Sequence, residues 1–128
     1  MAQGNKIEFF LEGNVPSLKN SKVKTKWGLI PSKTVRRYIK EKEYQYKDDE
    51  FRERFADALD GKEFPIKLHM YIIRDSRRKF DYVNIAQLPL DLLVKHGHIP
   101  DDNADIVIPV FDGYHVDKKE AGMKLWIE

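Results

Sequence analysis

Three aspartates have the side-chain type and the positions that phosphate chemistry needs: Asp81 precedes an apolar segment, and Asp101 and Asp102 follow it. Carboxylate oxygens suit Mg²⁺ and Mn²⁺, and Mg²⁺ needs only one or two carboxylates when waters and a substrate phosphate complete its coordination. A metal held in this way polarises a phosphoryl group and lowers the pKa of an attacking water. If the chain is an enzyme, these residues predict Mg²⁺- or Mn²⁺-dependent chemistry on nucleic-acid phosphate.

Two basic segments accompany these carboxylates. The first lies directly before Asp81, and its side chains are suited to neutralising and positioning DNA phosphates: Arg74, Arg77, Arg78 and Lys79. The second falls within residues 17–30, for which we predict a mobile basic arm or a hairpin; its candidate DNA contacts are Lys22, Lys24 and Lys26. An ordinary solvated segment remains an equal alternative for these three lysines.

The carboxylates need a strand and a helix to position them. Residues 64–75 alternate apolar and polar side chains and predict a buried strand. Residues 83–95 predict a buried helix, although Pro89 should kink it or remove a hydrogen bond. A further strand is predicted over 105–111. If the helix folds back beside the first strand, Asp81 and the Asp101–Asp102 pair converge.

The remaining segments complete a small α+β pattern. Residues 6–11 predict a first strand and 123–127 a last one, and helical periodicity runs from the N-cap Ser32 to Leu59 with a weak stretch at 44–48. The order β, α, β, α, β, β predicts one mixed sheet with helices on one side, in a single domain spanning 1–128. No glycine-rich phosphate loop follows a strand, which argues against a Rossmann or P-loop domain.

Composition excludes several classes of site. The 128 residues include no cysteine, which rules out disulfides, thiolate metal ligands and a thiol nucleophile. The 23 basic and 21 acidic residues nearly balance, so the position of charges matters more than their sum. Neither a signal peptide nor a membrane-spanning run is visible, and we expect a cytoplasmic protein with no membrane partner.

Residues 77–107, RRKFDYVNIAQLPLDLLVKHGHIPDDNADIV, resemble the core of the RusA-type Holliday junction resolvases. That family has an arginine-rich strand end, an Asp-x-Asp-Asn, a lysine three residues later, an aspartate inside the helix and an Asp-Asp after it. The positions that match without a gap are Asp81, Asn84, Asp91, Asp101 and Asp102. The resemblance implies a RusA-like α+β homodimer of bacterial or phage type that binds four-way DNA junctions. It assigns catalysis to Asp81 and Asp102, with Asp101 as a further ligand of Mg²⁺.

The sequence departs from the family pattern at two positions. Val83 stands where the family has its second catalytic aspartate, and Gln87 stands where it has its lysine. Asn84 and Gln87 each carry a neutral side-chain oxygen that can act as a ligand, and they lie one helical turn apart. We therefore expect them to share a face of the helix and to support the site. The leading hypothesis is therefore a metal-dependent junction endonuclease. The alternatives are a catalytically impaired or inactive branched-DNA-binding protein and, third, a structural homodimer.

Several of these residues also have structural explanations. An aspartate before a helix, such as Asp81, is often an N-cap, and Asp101 and Asp102 follow a proline as turn residues do. Asp91 is expected to pair with a basic group. His96 and His98 form only a weak zinc signal, and a solvated turn is the preferred interpretation for them. We expect His69 to face solvent or to be locally hydrogen-bonded.

Overall fold

The computed structural model describes residues 6–19 and 22–128, and its central feature is a four-stranded mixed sheet. The elements in chain order are β1 (Glu8–Glu12), β2 (Lys22–Thr25), β3 (Gly28–Pro31), α1 (Lys33–Lys42), α2 (Tyr44–Lys47), α3 (Asp49–Leu59), β4 (Ile66–Arg74), α4 (Tyr82–Lys95), β5 (Val107–Val116) and β6 (Gly122–Ile127). The sheet has the order β1-β6-β4-β5, in which only the β4–β5 pair is parallel. The predicted α+β class with a mixed sheet is confirmed.

The β4-α4-β5 unit positions the candidate site. Parallel neighbours cannot be joined by a tight turn and need a long crossover, which α4 provides. The strand β4 pairs with β6 on one side and β5 on the other, so it is central, and its side chains alternate in burial before a fully buried end. The helix continues through Pro89, whose missing N–H removes one intrahelical hydrogen bond. The α4 N-terminus and Asp81 therefore lie beyond the carboxyl end of β4.

The predicted helical region 32–59 is divided into three helices. Ser32 caps α1 by accepting a hydrogen bond from the Val35 N–H, as the sequence predicts. The chain bends at Glu43, and Asp48 then adopts an extended conformation and caps α3 through the Phe51 N–H, at 3.0 Å. The weak stretch at 44–48 thus corresponds to the short helix α2 and to a new cap.

One hydrophobic core joins the helices to one face of the sheet. Its largest fully buried side chains include Phe9 from β1, Tyr46 from α2, Phe55 from α3 and Met70 from β4. The hydroxyl groups of Tyr38 and Tyr46 form a buried hydrogen bond of 2.8 Å inside it. Burial raises the pKa of Tyr38 to about 12, so this pair stays neutral in ordinary conditions.

Side chains cover the free edge of β1. The amide of Gln45 accepts from the Glu12 N–H at 2.6 Å and donates to the Glu12 carbonyl at 2.9 Å, as a neighbouring strand would. Arg54 Nη2 donates to the Glu8 carbonyl at 2.8 Å. The strand β5 forms the other edge of the sheet.

Two predicted segments differ in detail. The predicted strand 105–111 begins two residues later and extends to Val116, because β5 follows the whole length of β4 past a register shift. Residues 22–30 of the predicted arm or hairpin, together with Pro31, form the hairpin β2–β3, while residues 20 and 21 lie outside the described residues. Within the described ranges, no helix has both the length and the apolar character needed to cross a bilayer.

Candidate functional site

A cleft of about 820 Å³ opens at the carboxyl end of β4. Its walls are the loop after β1, the helix α1, and the β4–α4 loop with the first turn of α4. It collects six basic and three acidic side chains, which are Lys19, Arg37, Lys42, Arg74, Arg78 and Lys79, and Glu41, Asp75 and Asp81. Open sheets commonly bind ligands beyond the carboxyl ends of their strands, so this location fits a binding site.

The loop after β1 is fixed against the rest of the cleft by hydrogen bonds. The Asp75 N–H donates to Asn14 Oδ1 at 3.0 Å, and the Leu18 N–H donates to the Asn84 carbonyl at 3.0 Å. The guanidinium of Arg74 donates to the Val15 carbonyl. These bonds tie one wall of the cleft to both β4 and α4, so the cleft is an ordered feature of the fold.

Arg74 has a different role from the phosphate contact predicted for it. Its side chain is only 8% exposed, and its guanidinium carbon lies 5.1 Å from the Phe80 ring centroid. Burial lowers the pKa of Arg74, although a nearby Asp75 partly opposes this. Since its guanidinium is engaged with the loop, Arg74 acts as an internal anchor behind the cleft.

Asp81 occupies the N-cap position of α4 but does not cap the helix. Its side chain accepts no capping hydrogen bond. It receives a long hydrogen bond of 3.3 Å from the Asn84 side-chain amide and faces the cleft. The capping explanation for this aspartate is therefore wrong in its main point, because the carboxylate is not used to begin the helix.

Gln87 joins two other carboxylates further along the same helix face. Its side-chain amide donates to Asp91 Oδ1 at 2.7 Å and to Asp102 Oδ2 at 3.0 Å. At 3.6 residues per turn, Asp81, Asn84, Gln87 and Asp91 fall within an arc of about 120° on α4. Of the two predicted supporting residues, Asn84 therefore bonds to Asp81 at one end of this polar row, and Gln87 bonds to Asp102 at the other end. Asp91 pairs with this amide rather than with the basic group predicted for it.

Asp101 is committed to its own turn. One carboxylate oxygen accepts from the Asp102 N–H at 2.8 Å and the other accepts from the Asn103 amide at 2.9 Å. The backbone hydrogen bond from Asp102, and then the one from Asn103, lower the pKa of Asp101. These hydrogen bonds are the ones that the turn interpretation of Asp101 expects.

These contacts do not assemble the predicted three-carboxylate metal set. Among residues 6–19 and 22–128, no three His, Asp or Glu side chains lie close enough to share a metal ion. Asp81 lies in the cleft, whereas Asp101 and Asp102 bond to their own turn and to Gln87. Mg²⁺ binding stays a prediction, and the donors described here would have to be rearranged to supply three carboxylates.

The remaining predicted DNA contacts are exposed and divide into two groups. Arg78 and Lys79 line the cleft, with Arg77 beside them on the same loop. The side chains of Lys22, Lys24 and Lys26 belong to the β2–β3 hairpin outside the cleft lining. None of the five ion-pair contacts found in the described part of the chain includes a cleft residue.

The three histidines considered in the sequence are bound within the fold. His96 Nε2 lies 2.8 Å from a Glu43 oxygen, and His98 Nε2 donates to the Tyr46 carbonyl at 2.6 Å. His98 is buried, so the solvated-turn prediction is wrong for it, and the two rings use different partners rather than a shared zinc ion. His69 is locally hydrogen-bonded, as one of the two predictions for it states.

Sequence reasoning missed several cleft residues, including Asn14, Thr34, Glu41 and Lys42. Each is an unremarkable polar residue in a loop or on a helix surface. Their position in the cleft depends on how α1 packs beside the β4–α4 loop, which no local pattern encodes.

Comparisons with known proteins add no family to this description. No protein-family model matches the chain, and no curated protein matches it.

Proposed function

We propose that this chain binds the sugar–phosphate backbone of branched DNA through the basic cleft. The observation that supports this proposal is the charge of one ordered groove: besides the internal anchor Arg74, five basic side chains line it, against three acidic ones. Cationic grooves of this kind gain affinity by releasing counterions from DNA. The cleft cations other than Arg74 also make none of the ion pairs found in the described residues, which leaves their charges available to a ligand.

The preference for branched DNA comes from the resemblance of residues 77–107 to the RusA-type resolvases. The same resemblance proposes a RusA-like fold and a homodimer, in which two clefts would hold two arms of a four-way junction. Val83 and Gln87 replace two of the family's catalytic groups, and the carboxylates do not form a three-ligand set. Binding without efficient cleavage is therefore the function that the geometry supports best.

The test compares binding of the wild type and of Arg78→Ala/Lys79→Ala to a labelled four-way junction and to a linear duplex of matching sequence. We expect the wild type to favour the junction. In the double variant, the slope of log affinity against log salt should fall by about 2, because two phosphate contacts are lost. Equal affinity for junction and duplex would contradict the branched-DNA part of the proposal.

A matched control removes two lysines elsewhere. Lys62→Ala/Lys67→Ala makes the same charge change near the opposite end of β4, with Lys67 about 23 Å from Arg74 at 3.3 Å per residue. This variant should keep the wild-type salt slope. If both double variants weaken binding equally, general charge rather than the cleft is responsible. If the wild type binds no DNA at low salt, the proposal fails.

Metal-dependent cleavage is the second candidate, and one observation favours it. The carboxylate of Asp81 does not cap α4 and lies in the basic cleft, where a phosphate would arrive. The test is to incubate the junction with the protein and Mg²⁺, Mn²⁺ or EDTA. Metal-dependent nicking that disappears in Asp81→Asn and Asp102→Asn but persists in Asp91→Asn supports the enzyme. Absence of nicking by a protein that retains the junction supports binding alone.

A further inference from the structure

The β2–β3 hairpin presents an exposed tryptophan that the proposed cleft does not use. Trp27 is 83% exposed, although exposing an indole to water is unfavourable. It lies in the two-residue turn of a hairpin whose other residues are largely exposed as well. A large aromatic side chain in such a position has no role in the core of this chain.

The hairpin turn holds Trp27 in a defined position. The Thr25 hydroxyl donates to the Gly28 carbonyl at 2.8 Å and accepts from the Trp27 N–H at 3.2 Å. Gly28 has φ of 105°, a conformation that other residues rarely adopt. The hairpin tip is therefore a hydrogen-bonded turn that carries the exposed indole ring.

One cation lies against the ring, and two more precede it on the same hairpin. The ammonium of Lys26 lies 4.5 Å from the Trp27 ring centroid, and Lys22 and Lys24 lie on the strand that leads to it. An aromatic face with adjacent cations is the combination by which proteins hold single-stranded nucleic acid: the ring stacks on a base and the cations meet the phosphates. An apolar protein partner would not require this charge.

The cleft lining includes residues that flank the hairpin in the sequence, Lys19 before it and Thr34 after it. Trp27 is seven residues from Thr34, so at most about 23 Å of extended chain, at about 3.3 Å per residue, separates the tip from the cleft lining. This distance corresponds to about seven nucleotide steps of B-form DNA at 3.4 Å each. DNA seated in the cleft is thus within reach of the hairpin tip.

We propose that Trp27 stacks on an unpaired base of DNA that is bound in the cleft. This inference rests on the proposed function and adds a substrate class to it, namely DNA with bases that are unpaired, as at a branch point or in a single strand. Paired bases in a regular duplex would not offer the ring a free face.

The experiment measures the affinity of three probes, a labelled oligothymidine, a four-way junction with unpaired bases at its centre, and a linear duplex. Trp27→Ala should weaken oligothymidine binding by between about fivefold and a hundredfold, the range for loss of one base-stacking side chain. Trp27→Phe should retain most of the affinity because it keeps a ring. Leu29→Ala is the matched control, since Leu29 is 69% exposed on the same hairpin.

A second readout reports on the ring itself. The chain has two tryptophans, so in a Trp126→Phe background the emission comes from Trp27 alone. Oligothymidine should quench this emission, and the duplex should quench it much less. Quenching that is equal for both probes would contradict stacking on unpaired bases.

The possible failures are distinguishable. If the protein binds DNA but Trp27→Ala and Leu29→Ala behave alike, the stacking inference is overturned and the cleft proposal stands. If no probe binds at low salt, both fail. If Trp27→Ala instead abolishes binding to vesicles of phosphatidylglycerol and phosphatidylcholine, or dissociates a dimer in sedimentation, while DNA binding is unchanged, the tip serves a membrane or a second copy and the inference is overturned.

Discussion

The two ends of α4 use their polar residues in opposite ways. At the C-terminal end, Lys95 and His96 both contact Glu43, at 2.7 and 2.8 Å, and His98 donates to the Tyr46 carbonyl. At the N-terminal end, Asp81 receives one long hydrogen bond and Val83 is 68% exposed. Charged groups that form ion pairs or short hydrogen bonds within the chain stabilise the fold. Groups that lack such interactions are available to a ligand. This difference is the reason for proposing the N-terminal end of α4 as the ligand-binding end.

Replacement of His98 should have the largest effect on stability. The His98 ring is buried, 4.9 Å from the Phe51 ring centroid, and hydrogen-bonded. His98→Ala should lower the free energy of unfolding by about 2–4 kcal/mol, since it combines a cavity with an unsatisfied carbonyl. Val83→Ala at the other end should change it by less than about 0.5 kcal/mol. Urea unfolding of both variants measures these changes in the free energy of unfolding. Equal losses in the two variants would contradict the difference between the two ends of α4.

Two glutamates at the C-terminal end of α1, Glu41 in its last turn and Glu43 at its C-cap, provide a second comparison. Glu43→Gln should lower the free energy of unfolding by about 1 kcal/mol, because Lys95 and His96 lose their partner. The hydrogen bond from Lys95, followed by that from His96, lowers the pKa of Glu43. Its contribution is therefore present above the ordinary pKa of 4.5 and is lost as the pH falls through the lowered value.

Glu41→Gln is the control for this comparison, since Glu41 lies in the cleft and makes none of the ion pairs found in the described residues. It should leave stability nearly unchanged in the same urea titrations. A loss equal to that of Glu43→Gln would show that the cleft acids are structural too.

Asp81→Asn sharpens the comparison at the functional end. If the cleft only binds phosphate, removal of this carboxylate should raise DNA affinity by about two- to fivefold, because one repulsive charge is lost. Asp91→Asn, which lies on the same helix face outside the cleft lining, should raise it less. Anisotropy titrations of the junction decide this, and a fall in affinity for Asp81→Asn would mean that the carboxylate helps to hold the ligand.

The smallest expected effect concerns His69, another residue satisfied within the fold. Burial alone would lower its pKa, but hydrogen bonds to Glu128 and Asp112 outweigh burial and raise the pKa above 6.5. The stabilisation is then fully present below pH 6.5 and is lost as the pH rises through the raised value. Wild type and His69→Gln should differ most in urea unfolding near pH 5.5 and converge by pH 9; a constant difference would contradict the charged pairing.

The sequence predicts local features of this fold well and non-local ones poorly. The alternation of 64–75 and the periodicity of 83–95 determine β4 and α4 almost to the residue, because each pattern depends on neighbours in the chain. His98 was misassigned because its burial depends on Phe51 and Phe55, more than forty positions away. The inward turn of Arg74 likewise depends on the Val15 carbonyl.

The candidate site shows the same division. Asp81 and the basic loop before it were predictable from spacing, and the structure places Asp81, Arg78 and Lys79 in one cleft. The hydrogen bond of Asp102 to Gln87, and its absence from the cleft lining, were not predictable, because the bond joins residues fifteen positions apart. The opposing wall from α1 was invisible for a similar reason, since only tertiary packing brings it there.

The covered edge of β1 determines how this sheet could be extended by another chain. Gln45 and Arg54 already occupy the outward hydrogen-bonding groups of Glu8 and Glu12. An incoming strand would have to displace both side chains before it could pair there. In the part of the chain that the structure describes, no side chain hydrogen-bonds to the backbone of the ten-residue edge strand β5, although Pro109 removes one donor from it. Misassembly of unfolded chains, where it occurs, should therefore start from β5 rather than from β1.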